Sequence, residues 1–278
     1  MAKSFPRYIA DPLYGFLEYL HETTRLLHMS MRGISMHMAL PNTIKVLRDT
    51  DNTQYSVEEA ARRKEEYVEE LKAAKDSAEF AEKEIKNGFP LLNAHALVGL
   101  WGAIDSAVED ALVGTLMHEP DLLRSEAFAR LRIPLAEFET LERDERMRLL
   151  VQELRRGQPP DQAQGVEALE RLLSHIGLSG DVSPKTKKAM WEMQNVRNVI
   201  VHRGSIADRR LIKHCPWLGL KVGDEVKVPH TAIHKYDAAL HDYLYTIIKR
   251  LAVKYDVAID ESGKNLPDFP EEEADPAS

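Results

Sequence analysis

The residues best suited to chemistry stand together near the end of one predicted helix. Arg197 is followed directly by Asn198, and His202 comes four residues later. At about 100° per residue, Asn195, Asn198 and His202 share one helix stripe, and the long side chain of Arg197 can reach the same place. Arginine binds phosphate oxygens through its forked guanidinium, and histidine transfers protons near neutral pH. The set therefore favours chemistry on a phosphodiester.

The helix that must position these residues has clear predicted ends. Ser183 and Pro184 form an N-cap followed by proline at the first helical position, and Gly204 is a natural stop. The pattern predicts a helix over residues 185–203. Arg and His in a last turn can also serve only to complement the helix dipole, which is the plainer interpretation.

Spacing alone does not single out this site, because two other Arg–His pairs in the chain have the same separation. Only Arg197 is followed by asparagine. With residue usage of roughly 5, 4 and 2 per cent, the three-residue pattern arises by chance in about one chain of this length in a hundred.

Positive charge is concentrated around the same helix. The net charge of the 278 residues is −8, yet residues 185–214 hold eight Lys or Arg and two acids, or +6, which leaves −14 for the rest. Such a segment can bind nucleic acid even in an acidic protein, although a solvated helix face is the alternative. The candidate RNA-binding residues are Lys187, Lys188, Arg209 and Arg210.

The rest of the chain is predicted to be mostly helical. A capping box at Ser56 and Glu59 and a stop at Gly88 bound a long helix with a narrow Ala-rich stripe. Residues 91–118 are apolar on most faces and predict a central helix, and residues 134–156 predict a charged amphipathic one.

Valines that alternate around Gly223-Asp224-Glu225 indicate a small β-hairpin before a last long helix. The predicted fold is therefore all-α, a helical bundle with a β-hairpin insertion. Its predicted parts are an N-terminal helical extension at 1–88, the bundle at 89–256 with a helical insertion at about 119–180, and a disordered acidic tail at 257–278.

Composition excludes several classes of protein. The single cysteine, Cys215, excludes a disulfide framework and a cysteine-rich zinc module, and it favours a reducing compartment. The N-terminus has no apolar run of signal-peptide length, and no apolar segment is long enough to span a membrane. A cytoplasmic location is expected.

The arrangement of Arg197, Asn198 and His202 resembles the Arg-Asn-xxx-His signature of the HEPN superfamily, small helical bundles that include many metal-independent ribonucleases. The segment that follows, HRGSIADRRLI, is similar to HEPN domains of the bacterial defence and toxin type. The segment LWGAIDS looks like the first core helix of that family, with its acidic residue at Asp105. The resemblance covers about residues 89–256.

The resemblance implies a homodimer whose motif helices face each other across an RNA cleft. It also implies an endoribonuclease that needs no metal or cofactor and leaves a cyclic phosphate. His202 would transfer a proton, Arg197 would stabilise charge on the phosphorane, and Asn198 would orient the phosphate or the imidazole. The expected supporting residues are Asp105, Asn195 and Arg203.

Two further expectations concern Asp105 and a regulatory partner. Asp105 would hold Arg197 or His202, or else form an ordinary buried salt bridge. An antitoxin or regulatory partner is also implied. Toxins paired with nucleotidyltransferase antitoxins have Tyr two residues after the His, and here that position is Gly204, which argues against control by tyrosine modification.

Other functions stay open on the sequence. A catalytically silent HEPN-like bundle would keep the motif for packing and dimerisation and would bind RNA, a nucleotide or a regulatory partner. A helical scaffold with an accidental match is the third possibility. The intact His202 and Asn198 favour the enzyme.

Two rival sites would bind a metal. His234, Asp237 and His241 share a stripe of the last helix, with His230 one turn before them, but the ends of the stripe are about 10 Å apart. A polar helix flank explains them better. A Met- and His-rich run at 28–38 could bind a soft metal, although methionine fills core gaps more often. No metal site is therefore expected.

Overall fold

A computed structural model describes residues 4–51, 53–157 and 164–259, so most of the predicted acidic tail lies outside the described residues. Within them the chain is helical, which confirms the all-α prediction. The helices are α1 (Arg7–Met36), α2 (Leu40–Asp49), α3 (Val57–Asn87), α4 (Pro90–His118), α5 (Glu126–Ala129), α6 (Leu135–Thr140), α7 (Arg143–Arg156), α8 (Val166–Ser174), α9 (Pro184–Arg203), α10 (Arg209–His214) and α11 (His230–Tyr255). Short 3-10 turns lie at His37–Ala39, Pro120–Arg124 and Pro216–Leu218.

The described residues form two compact units. The first contains residues 4–20, 97–157, 164–226 and 234–259, and the second contains residues 21–51, 53–96 and 227–233. Residues 4–20 therefore belong to the unit that holds the signature helix α9, although the sequence groups them with the extension at 1–88.

The second unit is built around α2 and α3. Ser56 caps α3, and the predicted capping box is present, since Glu59 N donates to Ser56 Oγ and Ser56 N donates to Glu59 Oε2 at 3.1 Å. α3 packs against α2 and against the turn at His37–Ala39. Ala74 and Ala81 of the Ala-rich stripe are almost fully buried, as a stripe of small side chains in close packing would be.

The first unit has its core along α4 and α11. Residues of α4 that are 0–1% exposed recur along its length, as the apolar sequence predicts: Leu97, Leu100, Ile104, Val108, Ala111, Leu112 and Leu116. The inward face of α11 is equally buried at Leu240, Tyr243, Ile247 and Leu251. Together these side chains provide the apolar burial that holds the helices in place.

Two glycines let α1 approach α4 closely. A Cβ built on Gly114 would lie 2.2 Å from the backbone oxygen of Tyr8, and one on Gly99 would lie 2.4 Å from Tyr19 Oη. A backbone oxygen cannot move aside as the end of a flexible side chain can. Gly114 is therefore the position at which only glycine fits.

The helix predicted at residues 134–156 is instead two helices, α6 and α7. Glu142 adopts an extended conformation with ψ of 162° and caps α7, with Glu145 Oε2 accepting from Glu142 N at 2.9 Å. A glutamate seldom caps a helix, so the sequence gives no clear signal of this break.

The predicted β-hairpin is wrong. The described residues contain no β-strand, and the segment at 220–228 pairs with the chain that follows α9 rather than with itself. Val226 N donates to Ser205 O at 2.7 Å, and Ile206 and Glu225 form an isolated antiparallel bridge.

The alternating valines have a different cause. Gly223 has φ of +94°, and Lys221 N donates to Asp224 Oδ2 at 2.7 Å, so a tight turn does form here. Only the residues after it are engaged, because Val226 is 6% exposed and Val222 is 60% exposed. Val226 after the turn is buried and Val222 before it is exposed, a difference that a pattern of alternation cannot reveal.

Alanine substitutions at two glycines of α4 should have opposite effects. Gly114→Ala forces a methyl group against the Tyr8 carbonyl and should lower the free energy of unfolding by about 1–3 kcal/mol. Gly102→Ala meets no atom within 4 Å and should raise it by about 0.5–1 kcal/mol through helix propensity. Urea unfolding of both variants checks this, and two changes of the same sign would contradict it.

Candidate active site

The helix that carries the signature, α9, begins and ends as predicted. Ser183 Oγ accepts a hydrogen bond from Thr186 N at 3.1 Å, Pro184 occupies the first turn, and Gly204 closes the helix with φ of +58°. His202 and Arg203 thus lie in the last turn, where exposed carbonyl groups favour positive charge.

One face of α9 is fixed in the core of the first unit. Met190, Met193, Val196 and Val199 are 0–3% exposed. His202 and Arg203 are exposed, whereas Arg197 and Asn198 are half-buried. The buried face therefore sets the rotation of the helix and with it the direction of the polar residues.

A cleft of about 270 Å³ lies between the end of α9 and the start of α10. It holds five of the residues singled out by the sequence, namely Asn195, Asn198, His202, Arg203 and Arg210. The complete lining is Asn195, Asn198, Val199, His202, Arg203, Asp208, Arg210 and Leu211. Three basic side chains face one carboxylate here, so the cleft suits an anion.

Arg197 does not line the cleft but contacts a residue that does. Its Nη1 donates to Asn198 Oδ1 at 3.2 Å, and its buried Nε has no hydrogen-bond partner among the described residues. Since its oxygen is engaged, Asn198 has its amide nitrogen left to donate to a ligand. Arg197 therefore acts on the cleft through Asn198 in this arrangement.

His202 is exposed at the cleft, and no hydrogen bond from the described residues fixes its ring. It is the one imidazole among the described lining residues, and imidazole is the side chain that most often serves as a general acid or base.

Asp208, the one carboxylate of the described cleft lining, stabilises the start of α10. Asp208 caps α10, with Leu211 N donating to Asp208 Oδ1 at 2.8 Å, and its other oxygen lies 3.6 Å from Arg203 Nε. Asp208 is not among the residues singled out by the sequence, although an Asp just before Arg209-Arg210 is a recognisable cap signal.

Asn195 has both ends of its amide engaged. Its Nδ2 donates to Trp191 O at 2.8 Å, and its Oδ1 lies 3.0 Å from His214 Nδ1. Trp191 Nε1 in turn donates to His214 O at 3.1 Å. These bonds join α9 to the end of α10, so Asn195 positions the cleft wall.

A buried carboxylate one turn earlier was not anticipated from the sequence. Glu192 is 2% exposed and accepts hydrogen bonds from Trp217 Nε1 at 2.6 Å, from Tyr236 Oη at 2.8 Å and from Lys235 Nζ. Burial alone raises the pKa of Glu192, but these hydrogen bonds outweigh it and the pKa is lowered. The signal available in the sequence is that Glu192 is the one acid within α9.

The thiol of Cys215 lies near the same carboxylate. Burial raises its pKa to about 12, and the negative charge of Glu192 adds to the effect. A thiol of this kind is inert as a nucleophile and as a metal ligand.

The expected pairing of Asp105 with Arg197 or His202 is not observed. Arg155 Nη1 donates to both carboxylate oxygens of Asp105 at 3.0 Å, and Arg155 also pairs with Glu109 at 3.2 Å. Arg155 belongs to α7, within the insertion, whose position the sequence does not reveal.

The four predicted RNA-binding residues differ from one another in their contacts and exposure. Lys187 pairs with Glu167 at 2.9 Å, which raises the pKa of Lys187, and the ammonium of Lys188 lies 4.5 Å from the ring centre of Trp217. Arg209 and Arg210 are exposed in the first turn of α10, and Arg210 lines the cleft.

Among the described residues, the stripe of α11 formed by His234, Asp237 and His241 does not bring three ligand atoms within 4.8 Å of one another. In the run at 28–38, Met31 is 8% exposed, as a core residue would be, whereas Met29 and Met36 are 63% and 75% exposed. The gap-filling interpretation holds for Met31.

Comparisons of the chain with protein-family models, with curated proteins and with solved structures find no match. None of the described helices combines the length and apolar character needed to cross a lipid bilayer.

Glu192 and the donors bonded to it should make the free energy of unfolding depend on pH. Because the pKa of Glu192 is lowered in the folded state, its carboxylate stabilises the fold at pH values above its unfolded pKa of about 4.5. This contribution is lost as the pH falls through the folded pKa. Glu192→Gln should cost about 1–3 kcal/mol at pH 7, because buried donors lose a charged acceptor.

Urea unfolding between pH 3 and pH 7 measures this, and the difference between wild type and Glu192→Gln should shrink below about pH 4.5. Asp242→Asn, at an exposed position of α11, is the matched control and should leave stability unchanged. A difference that stays constant with pH would contradict the interpretation.

Proposed function

We propose that this protein is a metal-independent endoribonuclease of the HEPN type that acts as a defence or toxin effector. The observation that supports this most strongly is the meeting of Asn198, His202 and Arg210 in one cleft, with Arg197 bonded to Asn198. An imidazole, an amide and guanidinium groups suit the cleavage of a phosphodiester, because they can transfer a proton and bind the phosphate oxygens.

The proposed reaction is an attack by a ribose 2′-hydroxyl on the adjacent phosphorus. His202 accepts the hydroxyl proton or gives a proton to the leaving 5′-oxygen. The new O2′–P bond forms as the P–O5′ bond breaks, which yields a 2′,3′-cyclic phosphate and a 5′-hydroxyl. Arg203 and Arg210 stabilise the charge on the phosphorane, and Asn198, oriented by Arg197, donates to a phosphate oxygen.

The donor set of the cleft supports a reaction without metal. Mg²⁺ prefers carboxylate and carbonyl oxygens, and among the described lining residues Asp208 is the one carboxylate. Its oxygens are already occupied by Leu211 N and Arg203.

We also propose that the protein acts as a homodimer through α9 and its neighbours. The cleft lining supplies one imidazole, that of His202, whereas the reaction needs an acid and a base. A two-fold arrangement of the motif helices would provide the second imidazole from the partner subunit. RNA is the proposed partner, and an antitoxin or regulatory protein is a further one.

One observation favours a second function, that of a catalytically silent module that binds RNA or a nucleotide. Arg197 is half-buried and turned to Asn198, outside the cleft lining. A module of this kind would bind RNA at the basic cleft and leave it intact.

His202→Ala should lower the rate of RNA cleavage by about 10²–10⁴, because it removes the proton-transfer group. Purified protein is incubated with total RNA in excess EDTA, and the rates of the wild type and the variant are compared. The double variant His234→Ala/His241→Ala is the control and should keep the wild-type rate. Circular dichroism of each variant verifies that it is folded.

Undiminished cleavage by folded His202→Ala would overturn the assignment of the site. Loss of cleavage in EDTA, together with an inactive but folded double variant, would instead place the chemistry at a metal on α11. Binding of RNA by the wild type without any cleavage would favour the silent module.

A further inference from the structure

Trp217 is an unusually exposed tryptophan next to the basic helix. It lies in the turn at Pro216–Leu218 and is 43% exposed, whereas Trp101 is 6% exposed and Trp191 is half-buried. An aromatic face that is open to solvent is available to stack on a ligand.

A hydrogen bond to a buried carboxylate fixes the orientation of the Trp217 indole. Its Nε1 donates to Glu192 Oε2 at 2.6 Å, and Glu192 is itself buried and held by Lys235 and Tyr236. The ammonium of Lys188 lies over one face of the ring, 4.5 Å from its centre. These contacts hold the ring in one orientation, which lowers the entropy cost of binding a ligand.

Trp217 and the cleft lie along the same side of α9. Residues that contact Trp217 and residues that line the cleft recur at intervals of four and three, which defines one helix stripe: Lys188, Glu192, Asn195, Val199 and His202. From Glu192 to His202 the helix rises about 15 Å.

The segment from α10 to Trp217 also spans the distance between the cleft and the indole. Leu211 lines the cleft, His214 contacts Asn195, and Trp217, in the turn after α10, contacts Glu192. The segment from α10 to Trp217 thus runs antiparallel to α9, and both lead from the cleft to the indole.

We infer that Trp217 is a base-stacking subsite for an unpaired nucleotide of the RNA, a few nucleotides from the bond cleaved beside His202. Stacking needs a base with a free face, which a nucleotide inside a duplex lacks. The base would stack on the face opposite Lys188, whose ammonium lies over the other face and would meet the neighbouring phosphate. This subsite rests on the proposed function, since it takes the cleft as the place of cleavage.

The test measures binding of a short fluorescein-labelled oligouridylate by anisotropy, in the His202→Ala background so that no substrate is consumed. Trp217→Leu should raise the Kd by about 5- to 100-fold, the range that corresponds to loss of one base stack. Trp217→Phe is the matched control. It also loses the bond to Glu192 but keeps an aromatic face, so its Kd should stay within a few-fold of that of the parent. Binding of a duplex RNA should be the same in all three proteins.

Equal Kd values for the parent and folded Trp217→Leu would overturn the subsite. So would equal weakening in the Leu and Phe variants, because the bond to Glu192 and not the ring would then matter. Neither result tests the role of His202, which is measured separately by the rate of RNA cleavage. Absence of RNA binding by the parent would overturn the subsite and the proposed function together.

Discussion

The buried carboxylate of Glu192 is the interaction on which the geometry of the site depends. It accepts hydrogen bonds from Trp217 on the turn after α10 and from Lys235 and Tyr236 on α11. A charge at 2% exposure is stable only when its partners are in place, so this one group ties three chain segments into a single arrangement. The cleft begins one turn further along the same helix, at Asn195.

The second constraint is the sharp reversal of the chain after α9. Gly204 and Ser205 both have positive φ, at +58° and +64°, so two successive residues adopt the left-handed conformation. The chain then turns back so that Asp208 can cap α10 beside Arg203. Glycine adopts this conformation without strain, whereas Ser205 requires the surrounding contacts, among them the bond that its carbonyl accepts from Val226 N.

Sequence patterns predict the helices well where the signals are local. The ends of α9 and α3 follow from Ser183, Gly204, Ser56 and Gly88, since caps act within one turn of the chain. The shared stripe of Asn195, Asn198 and His202 follows from helix geometry, and all three do line one cleft.

The break between α6 and α7 at Glu142 is a local failure, and the other failures concern contacts between distant residues. Asp105 pairs with Arg155, fifty residues away, and the segment at 220–228 pairs with Ser205–Ala207 instead of forming a hairpin. The cluster around Glu192 likewise joins residues up to 44 positions apart. No periodicity or spacing contains such information, because these partners are chosen by packing.

The central claim is that the 2′-hydroxyl of RNA is the nucleophile, with His202 transferring its proton. The most direct measurement uses an RNA substrate whose cleavage site has been mapped, prepared with and without a single 2′-deoxynucleotide on the 5′ side of that bond. The account predicts that the bond of the all-ribose substrate is cut to a 2′,3′-cyclic phosphate and a 5′-hydroxyl, and that the deoxy-substituted bond stays intact. Cleavage at the deoxy-substituted bond, with a 5′-phosphate product, would contradict it.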